Sequence, residues 1–417
     1  MPPNIGQTPD FATRLAVEAA QQRVLDLCAS RALPGESVEL ERALGRILAG
    51  DLLAPHDVPP FANSAMDGYA LHGAELPDAG ERSFRLAGTV LAGSLAAPVC
   101  RVGECVRITT GAPLPTGADT VVIKENVRVD GDSIIVKSGE HAGANVRAAG
   151  EDYRAGETAL RAGDRLTPAW LGVLASCGRT HADVTRRPRV ALFVTGDELV
   201  PPQQALGFGQ IHDSNRYSLG ALLREMGIEP ALVAHLRDDP DALREALREA
   251  GESCDVIVSS GGVSAGEADF LPGLVGELGK VHFWKVRMRP GMPVLCGEIG
   301  RALVFALPGN PVSTIATFLT LVRPALLALQ AARITLPQTW RARLATPLAK
   351  KHDRAEFLRA TFEARDDGAL WASVLRKQGS GLLRGVAEAD ALIFVPENVR
   401  ELEVGAVVNL LPLPGLC

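Results

Sequence analysis

Apolar residues in the first fifty positions recur at a helical period. Phe11, Leu15, Val17 and Ala20, then Val24, Leu25 and Leu27, fall on one stripe, and Val38, Leu40, Ala43, Leu44, Ile47 and Leu48 carry it on to Asp51. That spacing predicts helix over 11–53. HDVPPFANSAMDGYAL (56–71) ends the pattern with paired prolines and small residues. From 83 to 146 the period changes: FRLAGTVLAG, CVRITTGAPLP, DTVVIKENVRVDG and SIIVKSG set Val, Ile and Thr between Gly, Pro and Asp turns, which predicts a β-rich block. Residues 150–186 carry turn signals and a short apolar helix from Trp170 to Ala175. This block is expected to rejoin the first helices, with the β-rich region inserted between them.

The pattern is clearest over 188–332. PRVALFV (188–194) reads as a continuous apolar strand, followed by a helix from about Ser214 with Leu219, Leu222, Leu223 and Met226 on one face. PALVAHL (230–236) is a second strand. Asp239-Pro240 then opens a helix, an acceptor at the cap and a proline in the first turn. CDVIVSS (254–260), a glycine loop, another helix, HFWKVRM (282–288), ALVFALP (302–308) and a long helix from Pro311 complete the unit. Strands alternating with helices in this way predict a doubly wound, mostly parallel α/β domain covered on both faces. Residues 333–417 return to strand-like alternation. The expected organisation is multi-domain α/β and β: a helical, elongated N-terminal domain (1–54 plus 148–186), an inserted β-rich domain (55–147), the α/β domain (187–332) and a small C-terminal β domain (333–417).

Composition narrows the class. The 417 residues carry 43 Lys+Arg against 49 Asp+Glu, a net charge of −6, with 47% hydrophobic and 22% charged residues. At roughly 100–200 residues per domain this length predicts two to four domains, and the balance excludes a mainly disordered chain. Net acidity argues against nucleic acid as a general partner. No uncharged apolar run of ~18–20 residues predicts a membrane span, and the N-terminus has no signal-like apolar core. Seven cysteines, an odd number without a CxxC pair, predict neither a disulfide framework nor a zinc site, and the expected location is the cytoplasm. Cys254 and Cys296 lie in apolar runs and read as core residues.

In an open α/β sheet, ligands lie beyond the carboxyl ends of the strands. Three loops there are rich in glycine and oxygen ligands: TGDEL (195–199), SSGGVSAGEAD (259–269) and LPGNPVS (307–313). Gly261-Gly262 allows backbone N–H groups to approach an anion, and Asn310-Pro311 reads as a helix start whose free N–H groups face a phosphate. Each has a plainer reading as a turn or a cap. Convergence favours the chemical one: Glu198, Asp238 and Asp269 all follow strands of one sheet, and gathered carboxylates repel without a cation. Magnesium fits oxygen ligands and a substrate phosphate. Lys285, Arg287 and Arg289 alternate along FWKVRMRPGMP (283–293), as an anion-facing side or as a solvated one. No GxxxxGK[ST] and no strand-borne GxGxxG occurs, which excludes a P-loop and disfavours a dinucleotide oxidoreductase. The eight histidines show no ligand spacing, His212 and His282 read as structural, and Ser260, Ser264 and Ser380 lack a His-Asp pattern for nucleophilic catalysis. By spacing alone Asp67-Gly68 and Thr110-Gly111 are turns.

PPFANSAMDGYA, RITTGAPLPTGAD, NVRAAGEDYRAGE, TGDELV, GQIHDSNRY, SSGGVSAGEADF, MRPGMP and LPGNPVS, in this order, resemble the molybdopterin molybdenumtransferase (MoeA) family, which includes the E domain of gephyrin. The resemblance runs from about residue 12 to 412. It implies a four-domain homodimer with its site in a cleft between subunits, insertion of molybdate into adenylylated molybdopterin, and Mg2+-assisted release of AMP. It implies that Glu198, Asp238 and Asp269 are magnesium and catalytic carboxylates, with Asp67 and Thr110 closing the cleft from the partner. Arg147 and Asp152 match further positions on that face. Asn215, Gly261, Gly262, Ser264, Pro308, Gly309 and Asn310 are implied to hold the pterin nucleotide. Lys285, Arg289 and Ser380, with Arg354 or Arg359, are implied to hold phosphate or molybdate, a dianion that needs such donors. Transient contacts with the molybdopterin adenylyltransferase and acceptor molybdoenzymes are implied too. The chain departs from many relatives where Met292, Ala148 and Ala149 replace basic residues and Arg289 replaces lysine. An interaction scaffold of the gephyrin type predicts degraded loop carboxylates, whereas they are intact here. A nucleotide pyrophosphatase sharing only the α/β module would lack PPFANSAMDGYA and GEDYRAGE, both present.

Overall fold

A computed structural model describes residues 12–263 and 270–415, so Phe11, Ser264 and Asp269 lie outside the described residues. Its centre is a seven-stranded sheet: β1 (Ala12–Leu15), β2 (Val190–Thr195), β3 (Leu232–Leu236), β4 (Val256–Ser260), β5 (Gly279–Val286), β6 (Leu295–Ile299) and β7 (Ala302–Leu307). The order across the sheet is β1-β5-β6-β7-β4-β2-β3. β7, β4, β2 and β3 are mutually parallel, and β6 runs antiparallel to both its neighbours. Alternate residues of β2 feed two cores. Val190 and Leu192 join one face, Ala191 and Phe193 the other. Both faces are covered, so the strand is apolar throughout.

One face is covered by α1 (Val17–Ala29), α2 (Asn215–Glu225) and a long apolar rod, α5 (Pro311–Thr317) continuing through a π-helical turn at Phe318–Val322 into α6 (Arg323–Leu329). The other is covered by α3 (Pro240–Ser253) and α4 (Leu271–Leu278). Pro324 gives the π turn a local cause. It has no N–H for the carbonyl of Thr320, and Gln21 Nε2 of α1 donates to that carbonyl instead, at 3.1 Å. The 19-residue rod is long and apolar enough to cross a membrane, but most of it is buried in this core.

The expected helix over 11–53 is corrected. Among the described residues of this stretch the α-helix is confined to Val17–Ala29, with a 3-10 turn at Leu40–Arg42. The helix packs Val17, Ala20, Val24 and Cys28 into the α/β core. Ala12–Leu15 is an edge strand parallel to β5. Past Pro34, Gly35–Glu39 is a strand antiparallel to His181–Thr185. That partner lies far along the chain, beyond any local window. The N-terminal block is therefore not mainly helical: Gly35–Glu39 with His181–Thr185, Leu52–Leu53 with Thr158–Leu160, and the helix Pro168–Ser176 enclose a core of Ala43, Leu48, Leu160, Leu166, Leu174 and Val184.

Between Gly68 and Lys137 a six-stranded sheet forms from Gly68–Leu71, Glu81–Val90, Glu104–Ile108, Thr120–Ile123, Val127–Asp130 and Ser133–Lys137. The C-terminal sheet joins Trp340–Leu344, Ala355–Ala364, Leu370–Val374, Ala391–Val395 and Val407–Pro412 with a borrowed strand, Met288–Arg289. That strand pairs Arg289 with Glu356 in parallel register. Cys254 and Cys296 are buried, as their apolar runs predict, and His282 is buried too.

Candidate functional site

The carboxyl ends of β2, β4 and β7 meet in a lattice of polar contacts. Ser260 lies in register with Leu307, and the Gly261 N–H donates to the Leu307 carbonyl at 3.1 Å. A Cβ at Gly261 would come within 2.5 Å of the Thr195 carbonyl oxygen, and its φ is +97°, so glycine is required there. Asn215, opening α2, clasps the two other loops: its Nδ2 donates to Ser260 Oγ at 2.9 Å and to the Gly309 carbonyl at 2.7 Å. Ser260 Oγ in turn donates to the Pro308 carbonyl at 3.2 Å. Beside this clasp, Thr195 Oγ1, Ser259 Oγ and Asn215 Oδ1 are buried without a hydrogen-bond partner. Buried polar atoms are rarely left unpaired, and two near the ends of adjacent strands with a third at the start of α2 mark a place prepared for a ligand.

Two of the three predicted carboxylate positions lie together. Thr195 of β2 pairs with Leu236 of β3, so the chain turns out toward Glu198 and Asp238 from adjacent strand ends. The loops are tied by Asp197, whose Oδ1 accepts from the Asp238 N–H at 3.3 Å, and by His235 Nε2, 2.8 Å from the Gly196 carbonyl. Glu198 folds back over Gly196, where a Cβ would meet its carboxylate at 2.4 Å. Asp239 caps α3, accepting from the Asp241 N–H at 3.0 Å. Among the described residues no three His, Cys, Asp or Glu side chains gather at metal-holding distance.

The basic residues divide. Lys285 has φ +66°, which breaks the pleat, so Lys285, Arg287 and Arg289 do not form one alternating face. Its ammonium lies 4.2 Å from the Trp284 ring centroid, and Trp284 Nε1 donates to the Val263 carbonyl at 3.1 Å, beside Gly261-Gly262. Arg287 is engaged by Glu397 at 2.8 Å. Arg289 is exposed, its Nε 3.6 Å from Glu356 Oε1. Arg354 Nη1 lies 3.9 Å from Met292 Sδ, so a guanidinium stands beside the position that lacks a cation.

Arg359 is corrected as an anion ligand. It is fully buried, donating to the carbonyls of Leu382 (2.7 Å), Lys377 (2.8 Å) and Gly379 (3.1 Å), so it shapes the loop that carries Ser380. That loop docks on the start of α5, where the Val312 N–H donates to the Ser380 carbonyl at 3.0 Å. Pro311 has no N–H and Thr314 donates to Asn310, so the expected row of free helix N–H groups is largely used internally.

A second cluster lies on the inserted sheet. Asp67 Oδ1 accepts from both the N–H and the Oγ1 of Thr110, each at 2.9 Å, and its Oδ2 faces Lys124 Nζ at 3.6 Å. The Thr110 bonds, backbone first, hold this carboxyl below its ordinary range. Arg147 is paired with Asn63, whose Oδ1 is buried and unpartnered. The Asp152 N–H donates to the Val58 carbonyl at 2.9 Å. Lys124 has no signal in the sequence; the pairing of Gly68 with Ile123 brings it beside Asp67. Among the described residues no hydrogen bond or ion pair joins this cluster to the α/β loops of the same chain.

A mostly parallel α/β domain joined to β-rich domains on both sides is the class that this architecture defines. Residues 191–328 match the family model described as a probable molybdopterin binding domain, residues 15–178 the MoeA N-terminal region (domain I and II), and residues 341–413 the MoeA C-terminal region (domain IV). The chain is 34% identical over 383 residues to the molybdopterin molybdenumtransferase of Haemophilus influenzae, covering 91% of this chain and 94% of that one. It is 34% identical over 387 residues to the protein of the same name from a Nostoc species, covering 91% and 89%. The crystal structure of the molybdopterin biosynthesis moeA protein from Pyrococcus horikoshii superposes with a TM-score of 0.84 at 29% identity, over 96% of this chain and all of that one. The chain belongs to the MoeA family, whose named relatives are transferases.

Proposed function

We propose that this chain inserts molybdate into adenylylated molybdopterin, cleaving the phosphoanhydride and releasing AMP. The carrying observation is the set of unpartnered Thr195, Ser259 and Asn215 oxygens beside Gly261-Gly262. The glycine loop admits a phosphate closely, while Asn215 and the hydroxyls supply donors and acceptors for a polar heterocycle or ribose. In this reading, water attacks phosphorus, the P–O–P bridge opens, and AMP and molybdopterin phosphate separate with loss of a proton. The two dithiolene thiols each form a Mo–S bond, and their protons carry off one molybdate oxygen as water. Lys285, beside the loop, neutralises charge growing on the departing phosphate. Arg289, Arg354 and Ser380 grip the oxyanion, and Arg359 holds the Ser380 loop in place.

Glu198 and Asp238, with Asp269, are the oxygen donors that would hold Mg2+, and as hard carboxylates they suit it. When bound, it would supply charge neutralisation at the phosphoanhydride. Asp67, Thr110, Arg147 and Asp152 would complete the site from a partner subunit. The exposed Asp67–Thr110 pair, unlinked to the α/β loops of its own chain, supports this homodimeric arrangement. A cytoplasmic location and transient contacts with the adenylyltransferase and acceptor molybdoenzymes belong to the same reading.

The test incubates the full chain with adenylylated molybdopterin, Mg2+ and molybdate, and follows AMP by chromatography. AMP release that depends on molybdate supports the transferase; release indifferent to the oxyanion makes the protein a pyrophosphatase instead. Asp67→Ala and Glu198→Ala chains, each inactive alone, should recover activity when mixed and allowed to exchange subunits.

A further inference from the structure

α2 and the α5–α6 rod both begin at the candidate site and end elsewhere. The 11 residues of α2 run from Asn215 to Glu225, about 16 Å at ~1.5 Å per residue. At that far end lies a cavity of about 750 Å³ where the N-terminal, α/β and C-terminal parts of the chain meet. It shares no lining residue with the site described above. Its size suits a small organic molecule, and junctions between domains are where such sites concentrate.

The lining has two characters. Leu222, Met226, Phe318, Leu327, Ile334 and Leu413 give it apolar wall. Phe318 belongs to the π-helical turn ahead of Pro324. Three arginines also face the cavity. Arg333 is occupied by Asp164 at 2.7 Å. Arg165 and Arg323 form no side-chain hydrogen bond or ion pair among the described residues. Burial pulls the Arg323 guanidinium below its ordinary pKa, the like charge of Arg165 adds to this, and Glu225 opposes it. The two guanidinium groups line the same cavity, Arg323 half-buried and Arg165 at its exposed side, and an anion between them would relieve their like charge. Charge on the lining agrees: three arginines against Asp164 and Glu225 leave a surplus of one cation.

We propose that this cavity binds a small organic carboxylate with an aromatic or aliphatic body. The acid group bridges Arg165 and Arg323, whose planar forks suit oxyanions. The hydrocarbon packs on Phe318, Leu222 and Leu327. This site is separate from the proposed transferase centre and does not depend on it.

Calorimetric titration of the full chain with 2-naphthoate and its neutral isostere 2-naphthamide tests the proposal. The carboxylate should bind once per chain and at least tenfold tighter than the amide. Arg323→Gln and Arg165→Gln should each erase that preference. Arg165 is exposed, so its variant keeps the test available if loss of Arg323 impairs folding, which circular dichroism reports. Absence of naphthoate binding, equal affinity for the two probes, or an undiminished preference in Arg165→Gln overturns the proposal. Because binding is read directly, its failure is distinct from failure of AMP release.

Discussion

Asp67 and Thr110, 43 residues apart, are joined by two hydrogen bonds of 2.9 Å to a single carboxylate oxygen. The threonine thereby fixes both the direction of the carboxylate and its charge. Thr110→Val removes the Oγ1 bond and leaves the backbone one. The Asp67 carboxyl should then titrate at higher pH than in the parent, moving back toward its ordinary value, as followed by carboxyl carbon shifts in NMR. In the proposed reaction, AMP release should fall while circular dichroism stays unchanged. A titration that does not move would remove Thr110 from this role.

Asn215 reaches both loops from α2, donating to Ser260 Oγ and to the Gly309 carbonyl. Asn215→Leu forfeits both donations, leaving the Gly309 carbonyl without this donor and Ser260 Oγ held by its bond to the Pro308 carbonyl. The loss of stability in urea should be about 1–3 kcal/mol, and affinity for a nucleotide ligand should drop far more than that stability change alone would explain. Asn215→Asp keeps the shape but cannot donate, so it should resemble the leucine variant in binding.

At Gly261 the chain has no room and an unfavourable φ for any side chain. Gly261→Ala should cost about 1–3 kcal/mol from backbone strain, with a further cost from displacing Thr195. Gly309→Ala is the control: a Cβ there meets only the Gly261 Cα, at an ordinary 3.8 Å. Thermal melts of the two variants should differ clearly, with Gly261→Ala the lower.

Arg359→Gln should release the Ser380 loop. Three carbonyls lose a charged donor inside the protein, an expected cost of about 3 kcal/mol. Oxyanion affinity should weaken through loss of loop geometry. Hydrogen exchange at residues 377–382 distinguishes this from loss of a direct ligand, since only the positioning role predicts faster exchange there without oxyanion.

His282 is buried beside Glu298, and burial is the main reason that its pKa lies below the ordinary 6.5. The folded chain thus resists protonation more than the unfolded chain does. Stability from this group is complete above the unfolded value and is lost as pH falls through 6.5 toward the folded value. Urea midpoints should decline over that interval, and less so in a folded His282→Gln variant.

The four mutually parallel strands β2, β3, β4 and β7 were legible as short apolar runs, and Asp239-Pro240 and Asn310-Pro311 announce their helices. By contrast, Ala12–Leu15 lies inside a helical spacing and Leu295–Ile299 carries no separate signal. Pairing partners remote in the chain were not legible either. Nothing local to Val38 tells that its neighbour is Ala182, so a strand there carried the same apolar spacing as a helix. The loops of the site could be named from glycine and carboxylate content, yet the commitments of individual side chains could not. Arg359 and Arg354 are five positions apart with similar surroundings in sequence, and only packing separates a buried loop support from a guanidinium facing Met292. Lys124 was missed because its relation to Asp67 exists only across strands.

Met288–Arg289 departs from the α/β domain and is sewn into the sheet of the C-terminal one. A seam made of backbone pairing does not slide as a contact between surfaces can. Severing the C-terminal lobe would leave Ala355 and Glu356 along a raw edge, and the excised lobe would be prone to stick to its own kind. Heat should accordingly bring both lobes down in one calorimetric peak.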